Sequence, residues 1–191
     1  MKTPTLLLFA ALVSCGAQSE KPASPPAYVD EAPLPEGWPK PGPYDQVAEK
    51  SYPAYRAAFT TRQGEAMAFW QLFGHIKKNN IPMTAPVEMA MDASDGAFEQ
   101  STMAFLYQNE KVGKTGPDGE AVEVRDVAAA KVLSYTWQGT DSKANIAKAR
   151  ESLEAALTGK KLTPKSFRLL GYNGPGTPQA KKTWELQALL N

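Results

Sequence analysis

The chain has 191 residues, 42% apolar and 21% charged, enough for one domain with a buried core and too apolar for global disorder. Lys and Arg number 21 against 20 Asp and Glu, a net charge of +1, which excludes non-specific nucleic-acid binding and a polybasic membrane-surface role. One cysteine and one histidine exclude a disulfide framework and a zinc site built from several Cys and His ligands.

Met1-Lys2 is a short basic start, and Leu6 to Val13 is an unbroken apolar run. The run is far below the ~18–20 residues of a spanning helix and fits the core of an export signal. It ends in Leu12-Val13-Ser14-Cys15, which is similar to a bacterial lipobox: aliphatic, small, then the cysteine that is lipidated. The expectation is a signal peptide over residues 1–14 and a membrane anchor of palmitate-type acyl chains on Cys15, each buried CH₂ contributing roughly 0.8 kcal/mol. Gly16 stands where an inner-membrane retention aspartate would be, and by resemblance to known sorting rules this points to the outer membrane, facing the periplasm. Losing Lys2 with the leader leaves 20 basic and 20 acidic residues.

Residues 15–43 carry eight of the sixteen prolines and no apolar face, so an extended spacer between membrane and domain is expected. Trp38 is the exception, an aromatic that either docks on the domain or stays solvated. The folded domain is then residues 44–191.

Within that domain, 44–61 reads as extended chain with a bend at Pro53. Gln63 to Asn80 is the strongest helical pattern. At about 100° per residue, Ala66, Phe69, Trp70, Leu72, Phe73 and Ile76 share one broad arc, and Pro82 and Pro86 end the helix. Strands are predicted over 87–91 and 98–108, with turn chemistry at 114–119 and extended chain again over 122–138. Asp141 or Ser142 would cap a second helix over 143–157, closed by Gly159 and burying Ile146, Ala149, Leu153, Ala156 and Leu157. The last strands are 167–172 and 183–189. Strand, helix, strand, strand thus occurs twice without sequence identity between the halves. An α+β arrangement follows, a curved antiparallel sheet with two amphipathic helices against it. A cleft between helix and sheet would suit a flat apolar ligand.

The stretch Ala68-Phe69-Trp70-Gln71-Leu72-Phe73-Gly74-His75-Ile76-Lys77-Lys78-Asn79-Asn80, running into Ile81-Pro82-Met83-Thr84-Ala85-Pro86-Val87, resembles the core signature of the SOUL haem-binding family. That signature is a helix ending in a Tyr-Ile-x-Gly-x-Asn type segment, then Met-Thr-x-Pro-Val. Gly171-Tyr172-Asn173-Gly174-Pro175-Gly176-Thr177-Pro178, followed by Lys181-Lys182-Thr183-Trp184-Glu185, is similar to the family's Gly-Tyr-Asp-x-Pro…Arg-Arg-Asn-Glu ending. The resemblance covers the whole folded part. It implies a distorted antiparallel β-barrel of two βαββ repeats flanked by the two helices, and non-covalent haem or another tetrapyrrole in an apolar groove beside the first helix.

On that flank the resemblance implies Trp70 and Phe73 as stacking residues and Lys77 as a partner for a propionate. Each has a plainer reading: Phe73 as core, Trp70 as an unengaged residue, Lys77 as a solvated stem. Some relatives' basic and methionine side chains align with Ala66, Phe69 and Gly74, and their second anchor aligns with Thr177, so polar anchoring is reduced. Lys77-Lys78 replaces the family's glycine at the helix end. His75, where the family commonly has Tyr, is the sole imidazole and hence the candidate axial metal ligand. It falls about 60° from Leu72, at the rim of the arc away from Trp70, where a partly exposed residue is expected. Met67, Met83, Met89, Met91 and Met103 are alternative soft ligands, and packing residues otherwise.

The leading expectation is therefore a monomeric, non-enzymatic envelope lipoprotein that binds a tetrapyrrole and no nucleic acid. The alternative is an envelope module using the same groove for another apolar small molecule or a protein partner. Catalysis would need two of Glu65, Glu88, Glu99, Glu123 and Glu185 to converge in the cleft, which their spacing does not require.

Overall fold

A computed structural model describes residues 26–61, 67–94 and 97–190. The leader, Cys15, Pro22, Pro25 and the start of the first helical pattern, Ala66 included, lie outside the described residues. Nine strands follow the alternating and β-branched segments: β1 (Val47–Tyr52), β2 (Tyr55–Thr60), β3 (Val87–Ser94), β4 (Ala97–Leu106), β5 (Gly116–Asp118), β6 (Val122–Val127), β7 (Ala130–Gln138), β8 (Ser166–Gly171) and β9 (Thr183–Leu189). Helix α1 (Ala68–Lys78) lies between β2 and β3, and α2 (Lys143–Lys160) between β7 and β8.

The class is α+β with one antiparallel sheet in the order β1-β7-β9-β8-β3-β4-β2-β6-β5. No pairing joins β1 to β5 among the described residues, so the sheet is open where a closed barrel was expected. Pro53 and Ala54 separate β1 from β2, which go to distant places: β1 pairs with β7, β2 with β4 and β6. The segment expected as turn chemistry includes β5, three residues paired with β6.

Because successive residues of a strand point to opposite sides, the sheet has two distinct faces. Under α2 one face buries Leu133, Tyr135, Trp137, Leu169 and Leu186 with Leu153 and Leu157 of the helix. Under α1 the same face buries Phe105, Val122 and Val124 with Leu72 and Ile76. The other face buries Tyr52, Tyr55, Ala57, Leu106, Leu170 and Tyr172 around Trp38.

Trp38 corrects the expected boundary at Tyr44. It is only 6% exposed, with ring centroids 4.6 Å from Tyr52 and 5.2 Å from Tyr55. Upstream of it, Ala85 N–H donates to the Pro33 carbonyl (3.0 Å), Glu36 N–H to the Gln108 carbonyl (2.8 Å), and Tyr28 packs edge-on against Tyr172. Prolines here set extended backbone that carries aromatics to the sheet. Residues 26–43 are part of the domain rather than spacer. Two helix ends also have clear causes. Asn80 adopts φ 53° after α1, a conformation Asn tolerates, and Ile81 N–H closes on the Ile76 carbonyl at 2.8 Å. Helix α2 begins on Ser142, whose side chain accepts from Asn145 N–H, and runs through Gly159 to end on Lys161 at φ 56°.

Candidate functional site

On the helix-bearing face, between α1 and the approach to α2, lies a groove of about 540 Å³. Phe69 and Phe73 of α1 form one wall, their rings stacked at 11° with centroids 6.1 Å apart. The floor is sheet: Val87 and Met89 of β3, Met103 of β4, and Trp184 of β9, with Met83 at the turn after α1. Trp184 lies flat because Gly171 stands opposite it across β8 and β9; a Cβ there would come within 2.8 Å of the indole. The indole N–H donates to the Gly139 carbonyl (3.1 Å), which fixes the ring. The polar groups of the lining include Glu31, Gln100, Asp141, Asn173 and Lys182. The volume falls within the roughly 300–1,000 Å³ of small-molecule sites.

Glu31 comes from the N-terminal segment. Its carboxylate accepts from Thr177 Oγ1 and from Gly174 N–H (2.7 Å), and these bonds hold the carboxyl below its ordinary range. Asn173 Nδ2 donates to the Val29 carbonyl at 2.7 Å, so the loop after β8 is strapped to residues 29–31 at one end of the groove.

Of Trp70, Phe73, His75 and Lys77, only Phe73 lines this groove. Trp70 is 60% exposed, edge-on to Phe69 and Phe73 with centroids 5.5 and 6.1 Å away. Lys77 is exposed, its Nζ 5.5 Å from the centroid of Phe73, and lines a smaller hollow of about 340 Å³ beyond that ring.

His75 departs from its expected rim position, being 7% exposed. It is one turn from Leu72, on the side that β5 covers. Nδ1 lies 2.5 Å from Asp118 Oδ2 and Nε2 2.7 Å from Tyr107 Oη. Both ring nitrogens are thereby engaged, Nδ1 with the Asp118 carboxylate and Nε2 with the Tyr107 hydroxyl. Burial pushes the Tyr107 hydroxyl up to about 12, keeping it a donor. Hydrogen bonds from Lys78 (Nζ to Oδ1, 2.8 Å) and then His75 hold the Asp118 carboxyl down at about 2. His75 is thus a bracket between α1 and β5. Binding iron through either nitrogen would break one of these bonds.

The opposite face holds a buried polar chain. Arg168 Nη1 donates to Glu88 Oε2 (3.0 Å) and Tyr55 Oη (2.8 Å), and its Nε to Gln187 Oε1 (2.7 Å). Gln187 Nε2 and Tyr52 Oη each donate to Glu185 Oε1 at 2.7 Å; Lys50 Nζ (2.9 Å) and Tyr172 Oη (3.2 Å) donate to Oε2. Arg168 Nη2 has no hydrogen-bond partner among the described residues, but the guanidinium lies 5.3–5.7 Å from the ring centroids of Tyr52, Trp38 and Tyr55. Burial would lower the Arg168 pKa; Glu88, then Tyr55 and Tyr52, outweigh it and raise the value. The two buried carboxylates, Glu88 and Glu185, therefore face away from the groove, each held by a cation. Glu123 is exposed on β6, and the side chains of Glu65 and Glu99 lie outside the described residues.

The sequence signal that would have found the groove floor is the strand alternation Val87-x-Met89, together with Met103 and Trp184. Assigning these to one face required the register Met89↔Met103 and Gly171↔Trp184, which is set by long-range pairing.

The sequence model of the family described as SOUL heme-binding protein matches residues 42–187. Among solved structures, the C-terminal domain of EcmrR is similar with a TM-score of 0.57 at 14% identity, covering 76% of this chain and 97% of that one. An uncharacterized conserved protein from Listeria innocua gives 0.57 at 14% identity, covering 77% and 92%. A hydrolase from Listeria innocua gives 0.55 at 12%, covering 78% and 93%. At these identities the likeness is one of fold alone. A search of curated proteins finds no match.

Proposed function

The chain belongs to the SOUL heme-binding protein family, and from that premise we propose that it binds haem or another tetrapyrrole in the groove between α1 and the sheet. The observation that carries the reading is the groove itself, about 540 Å³ walled by Phe69 and Phe73 and floored by Val87, Met89, Met103 and Trp184. These residues fit the group. Flat aromatic rings and thioethers suit a planar conjugated ligand, and the apolar floor excludes water from its faces. When bound, haem would supply an iron centre. Met83, Met89 and Met103 are the soft donors lining the groove, whereas His75 is committed to Asp118 and Tyr107. Lys182 is the cation at the rim suited to a propionate, in place of Lys77.

The role is binding rather than catalysis, in keeping with a family of binding proteins. We also propose that the chain is an envelope lipoprotein anchored through Cys15, at the outer membrane facing the periplasm, and monomeric. The lipobox-like Leu12-Val13-Ser14-Cys15 supports the anchor.

A second reading has a specific observation in its favour. Lys182 shares the rim with two carboxylates, Glu31 and Asp141, an environment that does not favour a doubly anionic ligand. The same groove would then take a different, less charged apolar molecule.

A haem titration separates the two. The chain without its leader, titrated with ferric haem, is expected to give a saturable one-to-one Soret shift with tryptophan quenching. Uptake no greater than that of a non-specific control protein rejects haem and leaves the second reading.

A further inference from the structure

Trp70 is not used by the groove, yet three of the four exposed large apolar side chains among the described residues lie within two residues of ones that line it. Trp70 (60% exposed) and Met67 (57%) lie one turn apart at the start of α1, and Val29 (36%) lies on the opposite strap. The apolar surface is continuous, since Trp70 touches Phe69 and Phe73 edge-on and those rings line the groove. Single exposed apolar residues need no explanation, but an apolar rim around one opening marks a docking surface.

The chain's path decides what docks there. Gln138 Nε2 donates to the Ala27 carbonyl (3.0 Å), Asn173 Nδ2 to the Val29 carbonyl, and Glu31 binds Gly174. The N-terminal segment therefore leaves the domain at the rim of the groove, beside Asn173 and Lys182. From Cys15 to Ala27 is twelve residues, at most about 40 Å when fully extended and less in any other conformation. A domain of this size is itself roughly 40 Å across. An anchor at Cys15 thus holds the domain within about one domain diameter of the bilayer, tethered from the side that carries Glu31 and Asn173.

We infer that the mouth of the groove faces the phospholipid bilayer, with Trp70 and Met67 seated in its interface. The inference rests on the anchoring through Cys15 proposed above. Trp favours the headgroup boundary, where an apolar ring meets a wet edge. The charges at the exit point are mixed: Lys181 and Lys182 stand near Asp30, Glu31 and Asp141. Contact is therefore apolar in character and insensitive to salt. An apolar ligand would pass between lipid and groove without crossing open water.

Cys15 is the only thiol, which makes a direct test available. The chain from Cys15 onward keeps every described residue. Coupled through that thiol to maleimide lipid in phosphatidylethanolamine/phosphatidylglycerol vesicles, it is examined with acyl chains brominated near the headgroup. Trp38 and Trp137 are buried and Trp184 lies in the groove, so bromine quenching should come mainly from Trp70. The expected result is quenching that falls at least about twofold in Trp70→Phe, persists in Trp70→Tyr as quenching of the tyrosine, and is unchanged in high salt. Quenching that is absent, or equal in Trp70→Phe, overturns the inference. So does Trp70 protection that rises with protein concentration without vesicles, which would make a second copy the occupant. Mass analysis of Cys15 in protein from cell envelopes tests the anchor separately: an unlipidated Cys15 rejects that reading whatever the vesicles show.

Discussion

On β3, β8 and β9, Met89, Leu169 and Trp184 point toward the helices, while their neighbours Glu88, Arg168 and Glu185 point the other way. One face carries an open groove of sulfur and aromatic carbon with few polar fixings. The other is a closed chamber in which two carboxylates, an arginine, a lysine and three tyrosines bind one another beneath Trp38. The contrast shows how a small domain keeps a water-free binding surface without collapsing onto it. Rigidity is supplied from behind, by a network that includes Glu88 of β3, Arg168 of β8 and Glu185 of β9, strands that also line the groove. Burial raises the Tyr52 and Tyr55 hydroxyls far above their usual range, which keeps both as donors to the carboxylates.

The largest effect is expected on the closed face. Arg168→Met leaves Glu88 buried without its cation, with the Tyr55 hydroxyl still donating at 2.6 Å, and should cost about 3–5 kcal/mol in denaturant unfolding. A loss below about 1 kcal/mol would mean the chamber is not the stabilising face. A smaller effect is expected where the faces are tied at the sheet's edge. Asp118→Asn should cost about 1 kcal/mol at neutral pH by weakening the bonds to Lys78 and His75. The folded carboxyl sits at about 2, below its unfolded value near 3.8. Its contribution is therefore present above pH 4 and lost as pH falls toward 2. Acid unfolding curves of the two proteins should converge over that window; a constant separation would contradict the assignment.

Much of this was legible in the sequence. The helical arc over Leu72, Phe73 and Ile76, the Ser142 cap and the order of elements follow from local patterns. Phe73 lines the groove, and its place on the apolar arc is a local property of the helix. Trp70 shares the arc but does not line the groove, since a broad arc does not say where the neighbouring surface ends. His75 looked like a rim residue because Asp118 and Tyr107, which enclose it, are 43 and 32 positions away. The prolines of the docked segment signal a spacer, whereas the partners of Trp38 come from β1 and β2 and leave no local signature. The open sheet likewise depends on strand order, which composition does not encode.

The central claim is that the ligand occupies the groove face. Haem affinity measured for the unaltered chain and for Phe73→Ala tests it most directly. Phe73 is half-buried on a helix, so alanine keeps the fold while removing a wall of the groove. Saturable binding weakened about tenfold by the change, the loss of roughly 1–2 kcal/mol of aromatic contact, is the predicted result. Saturable binding with unchanged affinity would place the ligand elsewhere and contradict it.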